Sequence, residues 1–190
     1  MQQRIASGKD AAQADPAKPA GGGPQIILGI DPSLRGTGYG VIDTAQSTPT
    51  TLCHGTIRCP ADWPLSRCMR KISETLEDIL QKTKPTIAAV EGLFYAQNIR
   101  TALVMGQARG AALATLARAE LDVFEIAPRK VKQAIVGYGA AQKEAVAKMV
   151  QTRLALPELP ELDAADALAI ALTYAQSIDS PLPDKAIKPV

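Results

Sequence analysis

The sequence predicts an α/β protein, a mixed β-sheet with helices packed against it. Three features carry this. Two apolar runs of strand length each end in a carboxylate, at Asp31 and Glu91. An amphipathic stretch between them repeats apolar residues at three- and four-residue steps, and the elements follow in the order β-β-β-α-β-α-β-α-α-α. With 190 residues and 46% hydrophobic composition, the chain has material for one domain with a substantial core.

Residues 1–24, rich in Ala, Gln, Gly, Pro and Lys and ending in Gly21-Gly22-Gly23-Pro24, hold too few apolar side chains to offset the entropy of ordering, so a disordered tail is expected. Gln25–Asp31 is a continuous apolar run stopped by Pro32, as a central strand buried on both faces requires. Thr37–Asp43 and Thr51–Cys59 follow after short turns and complete an antiparallel meander. Leu65, Met69, Ile72, Leu76, Ile79 and Leu80 share one face of a helix over about Pro64–Lys82. Thr86–Glu91 is a short buried strand, and Asn98 is placed to cap a helix reaching about Ala119. Asp122–Ile126 is a fifth strand. Helices over about Pro128–Val136, Gln142–Leu156 and Asp163–Ala175 close the domain, which spans 25–176. The prolines at 181, 183 and 189 mark 177–190 as a flexible C-terminal tail.

Composition removes several function classes. Four Tyr, two Phe and one Trp are poor provision for a surface that stacks successive bases of a single strand. No stretch approaches the ~18–20 apolar residues of a membrane span, and the N-terminus lacks the apolar core of a secretory signal, so a soluble, cytoplasmic protein is expected. A zinc site would have to draw on Cys53, His54, Cys59 and Cys68. These lack CxxC spacing, and Cys53 and His54 point to opposite faces of a strand, which favours buried reduced thiols. His54 is the sole histidine and lies in no nucleophile motif, so carboxylates become the leading chemical groups.

Net charge is only +2, but its distribution is uneven: Arg100–Arg153 carries nine basic and four acidic residues, whereas 154–190 carries two basic and six acidic ones. Asp31 and Glu91 terminate apolar strands, where the open end of a mixed sheet commonly places functional groups. Asp163 and Asp166, spaced i and i+3, emerge on one face of the first turn of an Ala-rich helix. Taken singly each has a bland explanation: Asp163 as N-cap, Asp166 as a complement to the helix dipole, Asp31 as a turn residue before proline. Together they form a costly set of carboxylates unless something positive neutralises them. Oxygen-only ligands suit Mg²⁺ or Mn²⁺, and two such ions would permit phosphodiester hydrolysis by in-line attack.

Gly29-Ile30-Asp31-Pro32 with Thr37-Gly38-Tyr39-Gly40-Val41-Ile42, Glu91-Gly92-Leu93-Phe94 with Asn98, Gly106-Gln107-Ala108-Arg109-Gly110, Val131-Lys132-Gln133 with Val136-Gly137, and Asp163-Ala164-Ala165-Asp166-Ala167-Leu168-Ala169 occur in this order. From about Gln25 to Ala175 the chain resembles the bacterial RuvC Holliday-junction resolvases. The resemblance implies an RNase H-like fold, with a five-stranded mixed sheet of three antiparallel strands followed by parallel ones. It also implies a homodimer that makes paired symmetric nicks across four-way DNA junctions, leaving 5′-phosphate and 3′-hydroxyl ends. Two Mg²⁺ ions per active site are implied, with Mn²⁺ as a substitute, as is a partnership with a RuvA-RuvB branch-migration complex.

Asp31, Glu91, Asp163 and Asp166 match the family's catalytic, metal-binding carboxylates. On that reading Asp31 serves both ions, Glu91 and Asp166 complete the shells, and Asp163 binds an ion or orients water. Lys132 and Lys143 match lysines that approach DNA, and Phe94 matches an aromatic that stacks on a base at the junction centre. Arg100, Arg129 and Lys130 extend the basic surface as further candidate DNA contacts. The helix carrying Gly106 and Gly110 lies near the family's dimer interface. Two positions depart from the pattern. Ser33 stands where many members have Gly, a strained choice if the turn needs a positive φ, and Gln97 replaces a frequent Lys.

Two rivals belong to other classes. An actin- or sugar-kinase-like ATPase also follows a strand ending in Gly-Ile-Asp with a phosphate loop, but needs two such domains. A non-catalytic junction-binding module would bind without nicking.

Overall fold

The structure is a computed structural model, and it describes residues 23–92, 99–178 and 186–190. Phe94, Gln97 and Asn98 lie outside the described residues. The elements are β1 (Ile26–Asp31), β2 (Gly36–Asp43), β3 (Thr50–Arg58), α1 (Leu65–Thr83), β4 (Ile87–Glu91), α2 (Ile99–Arg118), β5 (Asp122–Ile126), α3 (Pro128–Val136), α4 (Lys143–Arg153), α5 (Leu162–Ile178) and β6 (Ile187–Pro189).

They form one mixed sheet in the order β3-β2-β1-β4-β5-β6. The meander β1–β3 is antiparallel, β4 and β5 run parallel to β1, and β6 returns antiparallel to β5. The sheet has six strands rather than the five expected, because 187–189, assigned by sequence to a flexible tail, pairs with 124–126. Three residues that include a proline are too few for a periodic signal, and Pro189 without its N–H is tolerated because β6 is an edge strand.

The sheet separates two cores. Ile27, Ile42, Ile87, Ala89 and Ile126 pack against α3, α4 and α5. Leu28, Ile30, Val41, Ala88 and Val90, alternating with the first set, pack against α1 and α2. α5 is buried along most of its length, from Ala164 to Ala175, which explains why it reads as apolar all round rather than amphipathic.

Small residues set the spacing between α5 and the sheet. Gly29 on β1 lies opposite Gly40 on β2, and Gly38 lies opposite Asp31. A Cβ at Gly29 would stand 2.0 Å from the Ala167 carbonyl oxygen, and one at Gly38 would stand 1.9 Å from that of Asp163. The helix backbone therefore rests directly on the strand backbone, closer than any side chain would permit.

Several boundaries differ from expectation by a few residues. α4 stops at Arg153 instead of running to about Leu156, because Leu154 leaves helical geometry and Ala155 turns to a φ of +48°. α5 begins at Leu162, with the Ala165 amide donating to the Glu161 carbonyl, so Asp163 sits inside the first turn and is not the N-cap. Ser33 has no positive φ, and its substitution for Gly costs no backbone strain. Its amide donates to Thr37 Oγ1 (3.3 Å), and that buried hydroxyl donates back to the Ser33 carbonyl, closing the loop after Asp31.

Candidate active site

Strand alternation brings Asp31 and Glu91 together. Ile30 pairs with Val90, so the next residue of each parallel neighbour lies at the same level, and both follow the face of Gly29 and Ala89 toward α5. The glycine seat lowers the first turn of α5 onto the end of β2, where Asp163 Oδ2 comes within 2.8 Å of the position a Cβ at Gly36 would take. Asp166 follows one turn on, from the same face. Four carboxylates from three elements thus lie at the carboxyl end of the central strands.

Their electrostatics show the strain of that arrangement. Burial, then the charges of Asp31 and Asp166, push the Glu91 carboxyl up to about 8. Burial and the charge of Asp166 push Asp31 up to about 6, against the opposing pull of Lys143. The two carboxyls share a hydrogen bond in which protonated Glu91 donates to Asp31. Burial also raises Asp166.

The cation at this site is Lys143, whose Nζ lies 2.6 Å from Asp166 Oδ2 and 3.9 Å from Asp163 Oδ1. Burial works against its charge, but the bond to Asp166 and the charges of Asp166, Asp31 and Asp163 outweigh that and hold its pKa up. Lys143 is the first residue of α4, the end of a helix where the backbone dipole disfavours a cation, so its place is set by the acids. Lys132, on α3, also faces the group and lowers the Asp166 pKa.

The other basic candidates lie on α2 and α3. Arg100 is exposed at the start of α2 and lines a cleft with Ser33, Leu34, Arg35 and Leu65, beside the loop after Asp31. Arg129 and Lys130 occupy the first turn of α3, which contains no acid, and Arg129 packs over Gly139.

With the Lys143 ammonium seated among the acids, no three of them, nor any other such group of His, Cys, Asp and Glu among the described residues, converge closely enough to hold an ion as placed. The donor set nevertheless fits a hard divalent cation. It is all oxygen, it carries more negative charge than one lysine balances, and a cation already occupies it. The cysteines do not form a rival centre: all are free, Cys59 and Cys68 are buried, and Cys53 and His54 alternate along β3.

One expectation about pH follows. In the unfolded chain Asp31 and Glu91 titrate near 3.8 and 4.5, and folding raises both, so the native state binds more protons between those values and about 6 and 8. Stability without divalent ions is therefore fully present below pH 4 and is lost as pH rises through 6 toward 8. Thermal melts in EDTA will show this decline, and Glu91→Gln will flatten it. Identical pH profiles for the two proteins would contradict the assignment.

Sequence reasoning missed Arg109 and Glu125. Arg109, on α2, is the sole buried charged residue among the described residues. Its guanidinium donates to the Glu91 carbonyl and to Glu125 Oε2 on β5. The available signal was a lone arginine in Gly106–Leu116, a stretch otherwise free of charge.

A mixed sheet of this order, with carboxylates gathered at the ends of β1 and β4 and on the helix lying across them, is the architecture of an RNase H-like nuclease. The family model described as crossover junction endodeoxyribonuclease RuvC matches residues 27–174. This chain is 46% identical to the crossover junction endodeoxyribonuclease RuvC of Heliobacterium modesticaldum, over 80% of its own length and 95% of the relative's. It is 45% identical to that of Desulforamulus reducens, over 80% and 93%. Among solved structures, Thermus thermophilus RuvC in complex with a Holliday junction substrate superposes with a TM-score of 0.77 at 32% identity, covering 87% of this chain and 99% of that one. A yeast mitochondrial Holliday junction resolvase, at 12% identity and a TM-score of 0.60, shares the fold. The chain belongs to the RuvC family of crossover junction endodeoxyribonucleases.

Proposed function

We infer that this chain is a structure-selective DNA endonuclease that resolves four-way junctions in recombination and repair by paired symmetric nicks. The observation that carries the reading is the four-carboxylate cluster, formed by a chain whose family match runs through all of its central elements. Asp31, Glu91, Asp163 and Asp166 are the residues that would hold divalent cations, Mg²⁺ in two copies per site with Mn²⁺ as substitute. The chemistry such ions would supply there is activation of water and stabilisation of the leaving oxygen of a phosphodiester. The chain's own residues prepare that chemistry. Burial makes the carboxylates demand a cation, and the Lys143 ammonium bonds Asp166 among them. Lys132, with Arg129, Lys130 and Arg100 farther out, supplies positive charge for the DNA backbone, and the acid-free start of α3 adds the field of a helix N-terminus. Phe94 remains the candidate for stacking on a base.

The protein acts as a homodimer in the cytoplasm, with a RuvA-RuvB complex as partner. Supporting the dimer, Ile99 and Leu103 on α2 are 81% and 62% exposed, and among the described residues no neighbour comes within 4 Å of a Cβ placed at Gly106 or Gly110, on the same face. No helix among the described residues is long and apolar enough to cross a membrane. The family match over residues 27–174 favours the junction nuclease over the ATPase alternative.

The test is cleavage of synthetic four-way junctions beside linear duplex and RNA-DNA hybrid, with Mg²⁺ or EDTA. Symmetric, Mg²⁺-dependent nicks confined to the junction are expected. Equal cutting of linear duplex would remove the structure selectivity, junction binding without nicking would favour the binding module, and ATP hydrolysis without DNA would favour the kinase-like reading.

A further inference from the structure

The end of β4 is clamped more firmly than sheet pairing requires. The Glu91 carbonyl accepts from Arg109 Nη1, and the next amide, Gly92, donates to the Ile126 carbonyl (2.9 Å). Arg109 Nη2 bonds Glu125 Oε2 on the neighbouring strand. The Glu125 side chain in turn lies against Gly92, where a Cβ would come within 3.1 Å of it. One planar guanidinium therefore spans β4 and β5 at the residue whose carboxylate enters the acidic cluster.

Such a device is a poor choice for stability alone. Taking a guanidinium out of water is costly, and its acid partner Glu125 keeps 41% of its side chain exposed, so the pair returns little stability. Arg109 has an exposure of only 6%, in a helix whose neighbouring buried positions are Ala108, Ala112 and Leu116. What the arginine provides is a fixed fork with two acceptors at set positions. It touches the backbone of Glu91 and not its carboxylate, so its effect is on where that carboxylate stands.

We propose that Arg109, oriented by Glu125, is a positioning residue that fixes the Glu91 carboxylate for divalent-cation binding. This rests on Glu91 being an ion ligand. Outer partners of metal ligands typically change affinity or activity by about 10- to 100-fold when replaced. Lysine at this position keeps the charge but can reach the two acceptors only as a point donor, without the fork.

The experiment compares Arg109→Lys, Arg109→Met/Glu125→Met and Glu91→Gln with the unaltered full chain, each well below its own melting midpoint. Mn²⁺ binding without DNA is followed by calorimetry, cleavage by the ion concentration giving half-maximal rate, and junction affinity in EDTA. Both Arg109 variants are expected to weaken Mn²⁺ binding and raise the half-maximal concentration by about tenfold or more, with junction affinity in EDTA within about twofold of the original. A merely structural role would lower the melting midpoint and leave the ion requirement of the folded protein unmoved, which would overturn the proposal. Should the double variant not fold, Arg109→Lys alone decides by the same readout. If Glu91→Gln leaves Mn²⁺ binding intact, it is the assignment of Glu91 as ligand that fails. If Glu91→Gln weakens binding and neither Arg109 variant does, the positioning role fails alone.

Discussion

Asp31→Asn is expected to lower junction cleavage by at least about 10³-fold while leaving junction binding nearly unchanged, because it removes ion-binding charge at the centre of the site and touches none of the basic surface. Asp31 lies between the other acids electrostatically: its charge is the second-largest cause, after burial, of the raised Glu91 pKa. Asparagine removes that repulsion, so Glu91 relaxes toward its ordinary range. The variant will melt no lower than the original in EDTA at pH 8, and will gain less from added Mg²⁺. Activity and metal-free stability thus move in opposite directions, as expected where function is bought with unfavourable charge. Full nicking by purified Asp31→Asn, or loss of junction binding in parallel with cleavage, would refute the assignment.

Gly38→Ala is expected to be the most damaging of the conservative substitutions. Its new Cβ would meet the Asp163 carbonyl oxygen at 1.9 Å and the Asp163 carbonyl carbon at 2.5 Å, both backbone atoms of α5 that cannot rotate away. Relief requires lifting the helix from the sheet. Overpacking of this kind costs about 1–3 kcal/mol and sometimes more. The same shift displaces Asp163 and Asp166 relative to Asp31, so cleavage should fall further than the loss of folded protein accounts for. Equal melting midpoints for Gly38→Ala and the original would show that α5 does not rest on β2 as described.

Much of this was readable in the sequence because its signals were periodic or bounded. β1 and β4 were continuous apolar runs stopped by a carboxylate, α1 carried a clean helical repeat, and all landed within a residue or two. The four acids were identifiable because each broke an apolar pattern at a chain position where a strand ends or a helix begins. The glycines of β1 and β2 were visible as a motif, but their purpose was not. Only the register Gly29 to Gly40 and Asp31 to Gly38 reveals that they make one seat for α5.

What escaped depended on tertiary pairing. β6 is three residues long and stabilised by an edge it meets only after folding. Arg109 looked like one more basic residue in a positive segment, and its value lies in two acceptors from different strands. Lys143 was expected to approach DNA near the catalytic centre, but its ion pair with Asp166 depends on α4 and α5 packing together and could not be read from spacing.

The central claim is that Asp31, Glu91, Asp163 and Asp166 form one site for divalent ions. Crystals grown with Mn²⁺ and measured at its absorption edge test this most directly. Anomalous peaks are predicted among these four side chains, with Lys143 Nζ withdrawn from Asp166. Peaks at other residues, or none while the ammonium stays bound to Asp166 at saturating Mn²⁺, would contradict it.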